Sequence, residues 1–241
     1  MSARRLPLWA GWMLALAVAA LCAGLGLWQL QRMHAKQDRV DAAARVLDAR
    51  RAQPLALAAD AARTRDYDWA AGEGRFLPLP AVLLDNQNRG GRAGVRAYRV
   101  FQPADEGAAP LLVELGWLPL PGDRRLPDVP APAATHVAGL LLPPPSPGLV
   151  APVATAQADG TVLVVALQPT VVAEALRLPA LAQRVLRLDP DLPLGYARDL
   201  ELLPNTLPPE RHLGYAVQWF ALAAAVLAIA LLLTLRGRRR R

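Results

Sequence analysis

Residues 208–235 read PPERHLGYAVQWFALAAAVLAIALLLTL, and this stretch decides what kind of molecule the chain forms. From Leu213 to Leu235 it runs 23 residues without a charge, enough at 1.5 Å per residue to cross roughly 30 Å of hydrocarbon. A second uncharged run, the 26 residues Leu6–Gln31, lies at the other end. All 20 acidic residues and 20 of the 27 basic ones fall between the two runs, so the middle of the chain is formally neutral. The net charge of +7 therefore sits in the tails, at Arg4, Arg5, Arg236 and Arg238–Arg241. A basic chain of this size invites a nucleic-acid reading, but this distribution excludes it. Short arginine-rich tails stay in the cytoplasm while a long loop is exported whatever its charge, so both termini are expected inside and the middle outside.

These features divide the chain into a cytoplasmic tail (1–7), a first transmembrane helix (8–30), a periplasmic domain (31–211), a second transmembrane helix (212–235) and a basic cytoplasmic tail (236–241). The first apolar run is too long for the core of a signal peptide, and no small-x-small cleavage site follows it, so it reads as a retained anchor. No Arg/Ser-rich presequence precedes it, which points to a bacterial inner membrane. Cys22 is the single cysteine and lies inside the first span, so the outer domain has to fold on apolar burial without a disulfide.

Residues 31–53 lack Gly and Pro and extend the anchor outward as a helix that breaks near Pro54. From about 70 to 205 the texture changes to short apolar runs punctuated by Gly and Pro. GEGRFLP (72–78), AVLLDN (81–86), VRAYRVFQ (95–102), LLVELGWLP (111–119), HVAGLLLP (136–143), TVLVVALQ (161–168) and RVLRLD (184–189) are seven strand candidates. DNQNRGGRAG (85–94) is a turn or longer hairpin loop, PPPSP (143–147) an extended connector, and PTVVAEALRL (169–178) a short helix. The expected fold is a membrane α+β protein: two transmembrane helices flank a β-rich, barrel- or sandwich-like domain with one or two helices.

Catalytic signatures are missing. The chain has no CxxC, HExxH, Walker loop or G-x-S-x-G, and serine is confined to Ser2 and Ser146. The acidic pairs Asp66/Asp68, Asp105/Glu106 and Asp189/Asp191 read as solvated loop residues. No enzyme is expected.

The mouth of the second span is different. Pro208 and Pro209 suit a first helical turn, where their missing N–H groups cost nothing. The helix then puts His212, Tyr215, Trp219 and Leu222 at i, i+3, i+7 and i+10, with Gln218 beside the row. The positive end of the helix dipole favours a neutral imidazole, which can bind the iron of a flat apolar macrocycle, and Arg211 is placed to meet that macrocycle's carboxylates. The same residues also suit an ordinary interfacial belt of Trp, Tyr, His and snorkelling Arg. Trp28, Gln29 and His34 stand at the outer end of the first span, with His34 expected on the surface.

Four stretches then carry a resemblance. LGLWQLQRMHAKQ (25–37), LLDNQNRGGRAGVRAYRVFQP (83–103), VELGWLP (113–119) and NTLPPERHLGYAVQWFALA (205–223) resemble, in order, the motifs of the Surfeit locus protein 1 family. The resemblance implies a membrane factor for assembling haem–copper cytochrome c oxidase that binds or delivers haem A to the catalytic subunit, with that subunit and haem A synthase as partners. It assigns the haem A histidine to His212 and the tryptophan seven residues on to Trp219, with Tyr215 and Gln218 as weaker carry-overs. The alternative is a scaffold that docks oxidase subunits or the synthase without touching haem. One departure stands out: Glu114-Leu115 precedes Gly116-Trp117 where the family carries Asn-Arg, and Arg89, Arg92 or Arg96 are the candidates to replace that basic residue.

Overall fold

The computed structural model describes residues 7–145, 151–200 and 207–239. Arg4 and Arg5, Ser146 and Pro147 of the connector, Asn205 and Thr206, and Arg240 and Arg241 lie outside the described residues. The chain separates into two units, one ending at Asp41 and resuming at Thr206, the other Ala42–Asn205.

The first unit is helical. Helix α1 (Leu8–Ala49) has 42 residues, about 63 Å at 1.5 Å per residue; α3, numbered after the short helix α2 (Pro169–Ala175) of the other unit, spans Pro209–Arg239. Both are long and apolar enough to cross a membrane. They run antiparallel: Trp12 Nε1 donates to Thr234 Oγ1 at 3.0 Å near one end, and Gly26 faces Phe220 near the other. The seam is made of small residues. Ala15, Ala19, Cys22 and Gly26 of α1 and Ala216 of α3 are buried, which lets the two backbones approach as in helix pairs within a bilayer. A Cβ at Gly26 would stand 2.8 Å from the Phe220 ring, so glycine there is the hole for a phenylalanine knob. The outward faces carry exposed Leu14, Leu21, Leu27 and Leu231–Leu233, a surface suited to hydrocarbon.

The second unit is a β domain. Its strands are β1 (Asp68–Phe76), β2 (Val82–Arg89), β3 (Arg92–Pro103), β4 (Leu111–Pro119), β5 (His136–Leu142), β6 (Ala154–Ala156), β7 (Val162–Val164) and β8 (Val185–Leu188), with α2 (Pro169–Ala175) between β7 and β8. They form one sheet in the order β1-β5-β8-β4-β3-β2-β7-β6, and β1 also pairs with β3, closing a five-stranded barrel. Closure depends on the length of β3. Its first half pairs with β2 up to Tyr98, while Phe101–Pro103 pair with β1 along the same edge.

Alternation along the strands fills both faces of the sheet. On β4, Leu111, Val113 and Leu115 join one cluster with Val95, Ala97, Phe101 and Leu186. Leu112 points the other way, into a cluster with Trp69, Tyr98, Val100, Leu140 and Val172 of α2. The last turns of α1 join this second cluster through Val46 and Leu47. Helix α1 stops at Ala49, before Pro54, because Arg50 takes a left-handed conformation (φ 39°) and Gln53 pairs with the backbone of β1, its N–H donating to Trp69 O at 2.8 Å.

Between β2 and β3 the pairing continues to Arg89↔Arg92, so of the two readings of 85–94 the turn holds: it is the tight turn Gly90–Gly91, both at positive φ (57° and 79°). An eighth strand, β6, was not expected. Asp68 also departs from the solvated-loop reading. It is buried at the start of β1, where Oδ2 accepts from Arg184 Nη1 at 2.6 Å and Oδ1 from Arg63 Nη2 at 2.7 Å. Arg184 in turn donates to Leu57 O at 2.5 Å, tying the 3-10 segment Leu55–Ala59 to the edge of β8.

Gly116 has φ 127°, and a Cβ built there would lie 2.8 Å from the Tyr196 carbonyl oxygen. Both the conformation and the contact reject a side chain. Gly116→Ala is expected to cost about 1–3 kcal/mol, read as a lower thermal midpoint of the purified chain; an unchanged midpoint contradicts this account.

Candidate functional site

The site is built on the helical unit. Pro208 and Pro209 open α3, and the first turn is fixed by Arg211 N–H donating to Pro208 O at 3.1 Å. One turn on, His212 is buried at 8% exposure, although Gly214, Tyr215 and Val217 around it are exposed. Its partner comes from α1: Nδ1 lies 2.7 Å from Gln29 Oε1. A carboxamide oxygen only accepts, so the proton sits on Nδ1 and the lone pair on Nε2. Nε2 is itself buried and has no hydrogen-bond partner.

Gln29 reaches this position because it is three residues beyond Gly26 and falls on the same seam. Beyond it, Lys36 Nζ donates to Leu207 O at 2.5 Å, and Arg32 stacks over the Trp28 ring at 5.6 Å. Both cations act electrostatically on His212. They add positive charge at the mouth of the helix pair, where Arg211 is also exposed.

The aromatic row divides. His212 and Ala216 are buried and Phe220 half-buried, so the contact face runs i, i+4, i+8. Trp219 is half-buried at the edge of this face. Tyr215 and Leu222 are exposed at 40% and 51%, and Gln218 is exposed as well. His34 is exposed, as expected. The sequence signal for Gln29 is a polar side chain near the end of an apolar run, matched in depth to His212.

The two central motifs lie in the β domain. Leu115, where the family carries a basic residue, is 1% exposed inside the barrel. Glu114 points to the opposite face and is 2% exposed, with Oε1 2.6 Å from Arg96 Nη1 and Oε2 3.2 Å from both Arg187 Nε and Tyr98 Oη. Burial by itself would lower the Arg96 pKa, but the Glu114 carboxylate leaves it raised; burial and then Glu114 push the Tyr98 phenol well above its usual range. Of the candidate replacement arginines, Arg96 is held by Glu114, Arg89 pairs with Asp199 at 3.0 Å, and Arg92 is exposed. Among the described residues, no group of three or more His, Cys, Asp or Glu is gathered as a metal-ion site.

Two long apolar helices flanking a closed five-stranded barrel, with a histidine–glutamine pair at one end of the helix pair, describe a helix-and-barrel protein. Within it, the model of the SURF1 family matches residues 16–224, and the chain belongs to that family, which is associated with cytochrome oxidase assembly. A comparison with curated protein sequences returns no match.

Proposed function

We propose that this chain is a non-enzymatic assembly factor of the bacterial inner membrane that holds haem A and hands it to the catalytic subunit of haem–copper cytochrome c oxidase, with haem A synthase as the source. In this reading α1 and α3 span the bilayer, the barrel domain is periplasmic and both termini are cytoplasmic. The observation that carries it is the buried, unpartnered Nε2 of His212. A buried acceptor without a partner costs about 1–3 kcal/mol, so the free protein gains by receiving a ligand there. The donor set fits the group. Gln29 fixes the tautomer with Nε2 free, the usual arrangement for an iron-ligating imidazole. Trp219 offers an aromatic edge, and Arg32, Lys36 and Arg211 offer cations for carboxylates at the water boundary. Tyr215 and Gln218 face away from the seam and would contribute only from the flank. Bound haem A would supply an iron with one protein ligand from this chain, and a single ligand suits cargo that must leave.

The scaffold reading rests on the same hydrogen bond. His212–Gln29 ties the two helices together, and in a protein that only docks oxidase subunits this bond would serve packing alone. The reduced-minus-oxidised spectrum of the detergent-purified chain, made in cells that synthesise haem A, separates the two. The carrier reading expects a haem A band. Its absence, with the oxidase catalytic subunit still co-purifying, gives the scaffold.

A further inference from the structure

At the other end of the helix pair, an apolar groove of about 390 Å³ opens between the first turns of α1 and the last turns of α3. Pro7, Gly11 and Val18 line one side, Val226, Ile229 and Leu233 the other. Its polar atoms are satisfied. Trp12 Nε1 donates to Thr234 Oγ1, and Thr234 Oγ1 donates to Ala230 O at 2.8 Å. Nothing there invites a polar ligand, so the groove offers hydrocarbon contact only.

Its mouth is charged. On α3, Gly237 is one turn beyond Leu233 and seven residues beyond Ala230, on the face that lines the groove. A Cβ at Gly237, or at Gly11 in the groove, would meet nothing within 4 Å, so both positions are open. Arg236 continues the edge begun by Ile229 (i+7), and Arg238 the edge begun by Thr234 (i+4). Both are exposed. The α3 wall of the groove therefore ends in two arginines with a glycine between them.

We infer that this groove is a binding site for one anionic glycerophospholipid, resting on the membrane placement proposed above. An acyl chain lies along the roughly 12 Å from Thr234 to Val226, and the phosphate sits in the gap between Arg236 and Arg238. Charge complementarity selects this occupant over a partner's membrane helix. A helix ending on the same side brings its own Lys and Arg to the interface, against the two arginines already there. A zwitterionic lipid fills the groove but neutralises no net charge at its mouth.

The test is native mass spectrometry of the full chain in mild detergent with palmitoyl-oleoyl phosphatidylglycerol and the matching phosphatidylcholine. The wild type is expected to retain one phosphatidylglycerol in preference to phosphatidylcholine. The double variant Arg236→Gln/Arg238→Gln, altered only at exposed side chains, is expected to lose that preference about thirtyfold, counting two cations at the membrane surface. Gly11→Leu, which fills the groove, is expected to abolish retention of either lipid. Equal retention of the two lipids by the wild type, a preference unchanged in the double variant, an adduct unchanged in Gly11→Leu, or a co-purifying polypeptide that Gly11→Leu displaces overturns the proposal. A missing haem band leaves this result untouched, so the two readings fail separately.

Discussion

Glu114→Ala lowers the stability of the β domain by about 3–5 kcal/mol, the usual consequence of removing one partner from a buried ion cluster. The cause is what remains. Glu114 is the shared acceptor for Arg96, Arg187 and Tyr98, and Arg187 is only 2% exposed. Deleting the carboxylate takes away the anion that Arg96 and Arg187 share inside the sheet. It also strips the Tyr98 hydroxyl, in a fully buried side chain, of its acceptor. Glu114 spans β4, β3 and β8, so the loss falls on three strands of the barrel ring at once. For a domain of this size the thermal midpoint is expected to fall by about 10 °C. Glu73→Ala is the control. Glu73 pairs with His136 at 3.0 Å, but its side chain is 65% exposed, and such pairs are worth about 0–1 kcal/mol. If both variants melt at the same temperature, the cluster is not what holds these strands together.

That cluster also shows why only part of the molecule was legible in the sequence. The two apolar helices, seven of the strands and the short helix α2 all announce themselves through local pattern: charge-free length, alternation, a Pro at a helix start. Barrel closure does not, because it depends on β3 changing partner between Tyr98 and Phe101, which no window around β3 encodes. The strand β6 is three residues, Ala-Thr-Ala, too short and too weakly apolar to read. Asp68 reads as a loop carboxylate because the buried one of its two cations, Arg184, is more than a hundred positions away in the chain. Position 115 shows the converse. A departure from the family pattern could be seen, but only its depth inside the barrel reveals that Leu115 belongs to the core, and that Glu114 took arginines of its own.

The aromatic row on α3 and the face that meets α1 diverge for a geometrical reason. From His212 a helix offers two equally good rows, i+3, i+7, i+10 on one side and i+4, i+8 on the other, and they diverge along the axis. The aromatic residues Tyr215 and Trp219 drew attention to the first. The contact with α1 follows the second, because Ala216 and Phe220 match the small residues and the Gly26 hole on its neighbour. Only the partner helix distinguishes them, and with it comes Gln29.

His212→Ala and Gln29→Leu together test that pair, and the expected sizes differ. His212→Ala removes the one imidazole on the seam among the described residues and is expected to abolish the haem A band of the purified chain. Gln29→Leu leaves the ligand but removes the acceptor for Nδ1–H, so the ring loses both its orientation and the bond that keeps the proton off Nε2. Loss of such a supporting hydrogen bond typically costs 10–100-fold in affinity, and about that loss is expected when apo-protein is titrated with haem and followed at the Soret band. The helix pair should survive both changes, since the Gly26–Phe220 contact and the Trp12–Thr234 hydrogen bond are untouched; helical circular dichroism and gel-filtration position check this. A Gln29→Leu variant that binds as tightly as wild type, beside an inactive His212→Ala, would leave His212 as ligand but remove Gln29 from the site. If both variants bind haem normally, the buried Nε2 is not where the iron sits. If the wild type binds none and both variants release the oxidase subunit, the pair holds two helices in register for a partner, and the scaffold reading replaces the carrier.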